Sequence, residues 1–404
     1  MPARDGFAFG GKTKIITAIL VLAFSISGQA FASTSAWSDV SGSGGKKGII
    51  SVKRGLEPDI KVSQEGKVYA AFQEGSKNRA RVREFDGQRW LDLSDQSDPQ
   101  GMISAKKGAN PILETKGNEV YAAFSDWTNG KRVRVKKWNG SAWTDLSDAN
   151  HPSGLVSNLQ GSEPILAFDK DREYLYVGFR DDANGSRARI MRWKDGLGWQ
   201  NVSDQNYPEG LISDGMGLEV DMVAAKNSNS MFAVFEDMNR GGAVRVKKWN
   251  GISWTDVSDA SHTDGIVGSQ AGFSPSLAVS GNGSLFLVYH GKNEKNTYAY
   301  QWNGAAWSVL GSEIVIRGGT SESRAAADER NNLYIAYSYK SKGKWNVAAK
   351  IWNGAAWIDS KAGKSQNISK GKGNPALSVF DNRLYMCVAE GKAKARVKML
   401  NFEP

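Results

Sequence analysis

The sequence repeats a unit of about 53 residues, and this repeat constrains the fold more than any other feature. One Trp recurs at intervals of 50 to 56 residues: Trp37, Trp90, Trp143, Trp199, Trp254, Trp307 and Trp357. The segment that opens each unit recurs in step with it: Pro58, Pro111, Pro164, Val220, Pro275, Arg324 and Pro375. A unit of this length cannot bury its apolar face alone, so neighbouring copies have to pack together. This predicts one repeat-built domain over residues 33–404.

Each unit has the pattern of four short β-strands. In one copy, residues 120–124 form an apolar run, residues 132–136 alternate between basic side chains and Val, and residues 143–146 follow an Asn-Gly pair. An Asn-Gly pair between two such runs predicts a hairpin in which both turn residues adopt positive φ. No stretch after residue 32 keeps a helical period, so the sequence predicts an all-β fold.

The Trp series is offset from the series of first strands, and the offset predicts how the fold closes. Trp37 precedes every first strand, and the last unit ends with three predicted strands only. We therefore expect residues 36–40 to supply the fourth strand of the last unit. The result is a seven-bladed β-propeller of four-stranded blades, whose sheet edges are protected by circular repetition. Of the 14 Trp, 12 lie at the two hairpin positions, where packing between blades is the expected role.

These motifs resemble those of exported bacterial β-propellers of the sialidase-like group, whose repeats carry an Asp-box. The similar parts are the Pro-led first strand, the second strand of the type found at residues 121–124, and the turn between the third and fourth strands. The Asp-box has the form Ser-x-Asp-x-Gly-x-x-Trp, whereas this chain has Trp-Asn-Gly-x-x-Trp and no Arg-Ile-Pro segment. The repeat style is also similar to that of bacterial propeller lectins. The resemblance implies a propeller with one ligand-binding face.

The first 32 residues have the pattern of a secretory signal peptide. Arg4, Lys12 and Lys14 precede or open a short apolar run at residues 15–24, and Ala30 and Ala32 form a small-x-small cleavage site. We expect an exported protein, periplasmic or secreted, whose mature chain is residues 33–404. No later segment of the sequence is long and apolar enough to predict a transmembrane helix.

The composition disfavours several classes of function. One Cys and three scattered His exclude a disulfide framework and argue against a Cys or His metal site. We find no nucleophile elbow, HExxH motif or dinucleotide fingerprint after residue 32. We predict no metal, no cofactor and no assigned catalytic residue, and we favour a non-enzymatic binding module. The alternatives are a sialidase-like glycoside hydrolase or lyase, which needs two carboxyl groups about 5–10 Å apart, and a protein–protein interaction scaffold.

In a propeller, the loops from the fourth strand to the next first strand (4→1) and from the second strand to the third (2→3) lie on one face. The 4→1 loops of this chain are long and irregular, and such loops tend to carry function. Candidate ligand-binding residues are therefore sought on this face. One position is expected to ring the propeller axis: Glu57, Asn110, Glu163, Glu219, Ser274, Ser323 and Asn374. Its three Glu are candidates for binding a cation or for acid–base chemistry; the alternative is that they cap turns or face water. Trp127 and Trp345, the two Trp outside the hairpin positions, are candidates for stacking on a sugar or for packing.

The end of the second strand supplies three further ligand candidates, Arg180, Glu236 and His290. The next position is acidic in five units: Glu74, Asp126, Asp181, Asp237 and Glu390. An Arg opens several third strands: Arg79, Arg132, Arg187 and Arg245. We predict that these acids and Arg residues form one ion pair per unit and brace the blade.

Positive charge is concentrated near the C-terminus. The chain has a net charge of +10, and residues 340–404 alone hold 11 Lys and 2 Arg against four acidic residues. Ring closure is expected to gather one anion-binding sector: Lys46, Lys47, Lys53, Arg54, Lys361, Lys364, Lys370, Lys372, Lys392 and Lys394. We predict a glycan or an anionic cell-envelope polymer as its ligand. Nucleic acid is disfavoured because no aromatic-basic motif accompanies the charge, and a solvated surface is the alternative.

Overall fold

The computed structural model describes residues 36–41, 48–94, 101–226, 230–312, 314–317, 320–360, 367–371 and 373–402. The predicted signal peptide and its cleavage site lie outside these residues. The described residues form 29 β-strands and four short 3-10 helices, numbered here along the chain. No helix in these ranges has the length and apolar character needed to span a membrane. The described chain is all-β, as the sequence predicted.

The strands follow one another as antiparallel meanders, which we number as units. Unit 1 contains β2 (Gly55–Val62), β3 (Val68–Glu74), β4 (Arg79–Phe85) and β5 (Trp90–Asp92). Unit 2 contains β6 (Gly108–Lys116), β7 (Glu119–Asp126), β8 (Arg132–Trp138) and β9 (Trp143–Asp145). Unit 3 contains β10 (Ser162–Asp169), β11 (Tyr174–Asp181), β12 (Arg187–Lys194) and β13 (Gly198–Asn201). Unit 4 contains β14 (Leu211–Ala224), β15 (Met231–Asp237), β16 (Ala243–Trp249) and β17 (Trp254–Asp256).

The remaining units keep the same order. Unit 5 contains β18 (Ile266–Val279), β19 (Leu285–Gly291), β20 (Thr297–Trp302) and β21 (Trp307–Val309). Unit 6 contains β22 (Thr320–Ala327), β23 (Leu333–Ser341), β24 (Lys344–Trp352), β25 (Trp357–Asp359) and the short β26 (Ser369–Lys370). Unit 7 contains β27 (Ala376–Phe380), β28 (Arg383–Glu390), β29 (Lys394–Asn401) and β1 (Ser38–Asp39). The 3-10 helices are η1 (Trp127–Asn129), η2 (Pro152–Gly154), η3 (Asp182–Asn184) and η4 (Met238–Arg240).

The second strand of each unit forms the centre of the core. Every residue of β3, β15 and β19 is buried. These strands are apolar on both faces because each sheet packs against the units before and after it. The core clusters accordingly span two units, as where Tyr121 of unit 2 packs with Leu175 and Phe179 of unit 3.

The hairpin Trp residues join neighbouring units, which confirms their predicted packing role. In the hairpins of units 2 to 6 the two Trp rings lie against each other, with centroids 5.6 Å apart for Trp138 and Trp143. In unit 1, Phe85 packs against Trp90 in the same way. The indole N–H of the fourth-strand Trp donates to a backbone carbonyl of the preceding unit. The pairs, at 2.7 to 3.0 Å, are Trp90 to Val40, Trp143 to Leu93, Trp199 to Leu146, Trp254 to Val202, Trp307 to Val257 and Trp357 to Leu310.

The Asn-Gly turns differ from the prediction. Trp138 pairs with Trp143, so four residues form the loop between them. Only Gly140 has a positive φ, of 102°. The side-chain oxygen of Asn139 instead accepts the backbone N–H groups of Ser141 and Ala142, at 3.0 Å each. The prediction of two positive φ angles was wrong because Asn stabilises this turn through its side chain.

The first strand of the described chain pairs with the last. In β1, Ser38 lies opposite Met399 and Asp39 lies opposite Lys398. Trp37 donates its indole N–H to Ser360 Oγ of unit 6 at 3.2 Å. The first strands of successive units contact one another, and β27 also contacts β2. The two ends of the described chain therefore meet in one sheet, unit 7.

The predicted ion-pair brace is present, but in three units a different Arg makes it. Arg134 contacts Asp126 at 3.0 Å and Asp145 of the fourth strand at 2.7 Å. The equivalent pairs are Arg81 with Glu74, Arg189 with Asp181, Arg245 with Asp237 and Arg396 with Glu390. Arg132 donates instead to the carbonyl of Ser157 at 2.7 Å, and Arg79 and Arg187 bind the carbonyls of Ser104 and Ser213 in the same way. In units 1 and 2 the second Arg of the strand forms the brace because it reaches acids on both neighbouring strands, and Arg189 of unit 3 contacts Asp181 and the loop residue Glu209.

Candidate functional site

In units 1 to 6, a bulge near the start of the first strand lines a shared central cavity of about 300 Å³. The described bulge residues with positive φ, between 46° and 54°, are Glu57, Asn110, Glu163, Glu219, Ser274 and Glu322. All of them line the cavity, as do Ser323 and Asn374. The positions predicted to ring the axis are therefore brought together around one cavity.

Unit 6 departs from the predicted alignment. Ser321 lies opposite Ser338 and Arg324 opposite Ala336, just as Leu56 lies opposite Gln73 and Asp59 opposite Ala71 in unit 1. Glu322 therefore corresponds to Glu57 and takes the bulge conformation. The sequence alignment had matched Ser323 to Glu57, so it was shifted by one residue in unit 6.

Carboxylates dominate the lining of the cavity. The charged residues that line it are Glu57, Asp59, Glu163, Glu219, Asp221, Glu322 and Arg324. Of the six acids, the sequence candidates included three, and Asp59, Asp221 and Glu322 were missed. Asp59 and Asp221 follow Glu57 and Glu219 by two residues along the strand. The alternation of side chains in a strand would have identified them as residues of the same face.

Several of these carboxylates hold neighbouring units together. Glu57 accepts the backbone N–H of Asn110 at 2.8 Å, and Glu219 accepts that of Ser274. Deeper in the sheet, Asp59 accepts the N–H of Leu113 at 2.7 Å and Asp221 that of Leu277 at 2.8 Å. In each case the donor belongs to the next unit along the chain. These acids therefore bind the backbone of the first strand in the next unit and do not cap a turn.

Burial raises the pKa of two acids in the cavity. For Asp59 it raises the pKa from 3.8 to about 6, against the opposing effects of Lys61 and of the Leu113 N–H. For Glu163 burial also raises the pKa, with repulsion from Glu219 adding to it and Arg180 opposing it. The cavity is therefore a site where carboxyl groups are poorly solvated and close to one another.

Arg180 and Glu236, predicted ligand residues at the ends of the second strands, are engaged in ion pairs. Arg180 contacts Glu163 at 2.9 Å and Asp182 at 2.6 Å, which places it beside the cavity. Glu236 is 4% exposed and pairs with Lys292. The structure thus links Arg180 to the predicted Glu ring, whereas it places Glu236 in a buried pair.

His290, the third predicted residue of this set, lies in the core and is fully buried. Its Nδ1 lies 3.0 Å from Thr297 Oγ1 and 3.1 Å from Thr320 Oγ1, and its ring packs 5.3 Å from that of Phe273. Burial lowers the pKa of the imidazole from 6.5 to about 4. A ligand at the surface does not reach this side chain.

The buried imidazole makes stability depend on pH. Between about pH 6.5 and 4 the unfolded chain binds a proton at His290 and the folded chain does not, so the free energy of unfolding falls as pH falls. We expect a loss of at most about 3 kcal/mol across this window. Urea unfolding at several pH values tests this in wild type and in His290→Gln, since Gln73 stands at the same position in unit 1. Equal pH slopes in the two proteins would contradict it.

Trp127 is exposed on the 2→3 turn of unit 2. It begins η1, and 46% of its surface is exposed. The Lys107 ammonium lies 4.0 Å from the centre of its ring and that of Lys131 lies 5.9 Å away. Trp345 is half-buried in β24, where it pairs with Lys340, and its carbonyl accepts the N–H of Gly371 at 2.9 Å. Of the two candidate Trp, Trp127 presents the accessible ring.

Backbone hydrogen bonds hold the loop that carries Lys107 between two turns. Gly108 N–H donates to Asn78 of unit 1, and Trp127 N–H donates to the Lys107 carbonyl of the same loop, both at 3.0 Å. Corresponding pairs of backbone bonds hold the residues equivalent to Lys107 in three other units: Arg54, Gln160 and Ala271. Lys107, Arg54 and Gln160 lie in loops that lead directly into the first strands, and Ala271 lies within β18. These four residues therefore form a rim beside the cavity. At this rim position Lys107 and Arg54 are cationic, Gln160 carries an amide and Ala271 has no polar side chain.

Half of the predicted basic sector falls on the described residues. Lys46, Lys47, Lys361, Lys364 and Lys372 lie outside them. Lys53, Arg54, Lys370 and Lys392 are exposed, and Lys394 donates to the Val52 carbonyl at 2.6 Å. Backbone bonds from Gly391 to Lys370, from Gly55 to Ala393 and from Gly75 to Arg54 connect their loops. We call the set Lys53, Arg54, Lys106, Lys107, Lys131, Lys370 and Lys392 the basic rim.

The fold and the cavity define the protein as a member of the β-propeller class. No protein-family model matches the sequence, and no curated protein sequence matches it. Solved structures do resemble it. One is a polysaccharide lyase, PL25 ulvan lyase, bound to -[GlcA(1-4)Rha3S]-, with a TM-score of 0.56 and 13% identity over 88% of this chain and 95% of that chain.

Two further solved structures are similar to this chain. AofleA from Arthrobotrys oligospora has a TM-score of 0.50 and 12% identity over 83% of this chain and 94% of its own. The Aleuria aurantia lectin, described as a six-bladed β-propeller with a fucose recognition mode, has a TM-score of 0.45 and 12% identity over 81% and 95%. At these identities the similarity concerns the fold alone, and membership of a sialidase-like group stays a prediction.

Proposed function

We propose that residues 33–404 form a single seven-bladed β-propeller, closed by the N-terminal strand, and that the chain is exported after loss of residues 1–32. The closure is supported by the pairing of β1 with β29 and by the contact between β2 and β27. The indole bonds from Trp37 to unit 6 and from Trp90 to Val40 support it as well. Export is supported by the sequence of the first 32 residues, which fits a periplasmic or secreted protein.

We propose that this propeller binds an anionic glycan on the face formed by its 4→1 and 2→3 loops. The observation that carries the proposal is Trp127, an exposed ring with the Lys107 and Lys131 ammonium groups beside it. An exposed indole packs on the apolar face of a sugar ring. A nearby ammonium group pairs with a carboxylate or sulfate on the same sugar. The similar solved structures include a polysaccharide lyase, which fits a glycan as the ligand class.

The charge distribution favours the rim over the centre as the path of such a polymer. The basic rim continues from Lys370 and Lys392 of units 6 and 7 through Lys53 and Arg54 to Lys107. The cavity, by contrast, is lined by six acids and one Arg. Like charges at short range in a poorly solvated cavity repel strongly. An anionic chain on this path therefore lies along the rim and avoids the cavity.

We expect Trp127→Ala to weaken binding of a sulfated oligosaccharide about 10-fold or more, because it removes the stacking surface. Lys107→Ala/Lys131→Ala should reduce affinity and flatten its dependence on salt, since fewer charges pair with the polymer. Isothermal titration at several salt concentrations measures both effects, with heparin oligosaccharides and their desulfated forms as probes. Exposed Lys67 and Lys170, in 1→2 turns at the opposite ends of the strands, provide the control pair of Ala substitutions.

Two outcomes would contradict this proposal. Equal affinity of wild type and the Trp127 variant for every sulfated probe would assign the ring to another role. Equal loss of affinity in the Lys67/Lys170 control would reduce the basic rim to a solvated surface. The same samples test whether the protein binds the glycan without cleaving it. A hydrolase or a lyase releases new reducing ends, and a lyase also releases unsaturated sugars. Either product, abolished by substitution of the cavity acids, would favour the enzymatic alternative.

A further inference from the structure

The central cavity carries features of a binding site that is independent of the rim. Its lining has six carboxylates and a single guanidinium, that of Arg324. These acids come from units 1, 3, 4 and 6, so negative charge surrounds the cavity from several sides. Among the described residues, no group of three or more His, Cys, Asp or Glu is placed to hold a metal ion. The carboxylates are thus distributed over a space larger than one ion.

Two buried polar atoms in this lining point to a ligand. Ser323 is 1% exposed, and its Oγ has no hydrogen-bond partner among the described residues. Glu163 Oε2 is also buried and has no side-chain partner within the described residues, whereas Oε1 of the same carboxylate pairs with Arg180. A buried hydroxyl or carboxylate oxygen without a partner is costly, so such atoms commonly bind a ligand or an ordered water.

The volume limits what the cavity holds. About 300 Å³ lies at the lower end of the range found for small-molecule sites in proteins. A monosaccharide-sized molecule fits that range, whereas a polymer does not. The uncharged polar groups of the lining include Asn110, Ser274, Ser323 and Asn374. These groups suit a ligand with several hydroxyls, because each of them donates to and accepts from a hydroxyl.

We propose that the central cavity binds a small hydroxylated amine of monosaccharide size, an amino sugar or a molecule of the same chemistry. Its ammonium group pairs with Glu163 and the acids around it, and its hydroxyls meet Ser323 and the Asn side chains. An ammonium ion in a poorly solvated, carboxylate-lined cavity is bound more strongly than in water. The carboxylate-lined cavity attracts cations and the basic rim attracts anions, so the two sites bind ligands of opposite charge.

The test compares glucosamine with glucose, which has the same ring and a hydroxyl in place of the ammonium group. We expect isothermal titration of the full-length protein to detect glucosamine binding, with glucose at least about 10-fold weaker, a factor that one charge-assisted hydrogen bond supplies. Glu163→Gln keeps the shape and the acceptor for Arg180 and should remove most of this preference. Ser323→Ala should weaken glucosamine binding about fivefold.

The matched control is Ser369→Ala. Ser369 is 2% exposed and its Oγ also has no partner within the described residues, but it lies in β26 and does not line the cavity. Thermal unfolding verifies that each variant folds, and the comparison of the two sugars on wild type stands whether or not a variant does. Equal affinities for glucosamine and glucose, or no heat from either, overturn the proposal. Calcium binding that Glu163→Gln abolishes, without glucosamine binding, also overturns it.

Discussion

Deletion of residues 36–41 is expected to lower the free energy of unfolding by about 5 kcal/mol or more. The deletion removes Trp37 and the buried Val40 from the packing of unit 7. Loss of a packed Trp alone costs about 3–5 kcal/mol. It also removes Asp39, which contacts Lys398 at 3.0 Å and Arg396 at 3.9 Å, and leaves the 9% exposed Lys398 without this acid. Urea unfolding followed by Trp fluorescence measures the change.

Two comparisons make this result specific to strand β1. Ser38→Ala is the control, because Ser38 is exposed and its hydroxyl makes only a 3.3 Å bond to the Met399 carbonyl. We expect it to change stability by less than about 0.5 kcal/mol. A synthetic peptide of residues 33–41 should restore part of the lost stability in the deleted protein. An unchanged unfolding midpoint after the deletion would remove the argument for closure by the N-terminal strand.

Arg134→Ala is expected to destabilise the protein by about 3–5 kcal/mol, because it leaves the fully buried Asp126 without its main counter-charge. Asp126 still accepts the N–H of Thr128 at 2.8 Å and the Asn129 side chain at 2.9 Å, but neither carries charge. Arg134 also makes two bonds to Asp145, at 2.9 and 2.7 Å. Chemical denaturation at neutral pH compares the variant with wild type.

Arg132→Ala, in the same strand, provides the matched comparison. Arg132 donates to the neutral Ser157 carbonyl at 2.7 Å, so loss of this bond should cost only about 1 kcal/mol. Adding Asp126→Asn to Arg134→Ala should recover stability, since the buried charge disappears with the partner that it lacks. Equal costs for Arg132→Ala and Arg134→Ala would show that burial of Asp126 is unimportant. A double variant less stable than the single one would contradict the explanation by charge.

The relation between Arg132 and Arg134 illustrates where sequence reasoning stopped. The acid at the end of the second strand lies opposite the first Arg of the third strand, and this pairing was the one predicted from the repeat. In the folded sheet the second Arg binds that acid, because it also reaches Asp145 on the fourth strand. A repeat alignment identifies which residue types recur. It does not contain the distances between three adjacent strands.

The candidate site shows the same division. The sequence placed Glu57, Glu163 and Glu219 around one axis, and the structure brings them to one cavity. It missed Glu322 because the sequence alignment of unit 6 was shifted by one residue, which the pairing of Arg324 with Ala336 reveals. It treated His290 as a surface residue because its position in the unit matches that of Arg180. The His290 side chain is buried because Thr297, Thr320 and Phe273 surround it, and all three lie on other strands, Thr320 in another unit.

The sequence alone determined the repeat, the all-β character and the hairpin Trp positions, since all three follow from local periods and turn residues. Only the tertiary structure decided which Arg forms each brace, which Glu occupies the bulge of unit 6 and how deeply each candidate side chain is buried. A one-residue change in register turns a side chain to the opposite face of a strand. Register is set by pairing with neighbouring strands, and these contacts between distant residues leave no local signal in the chain.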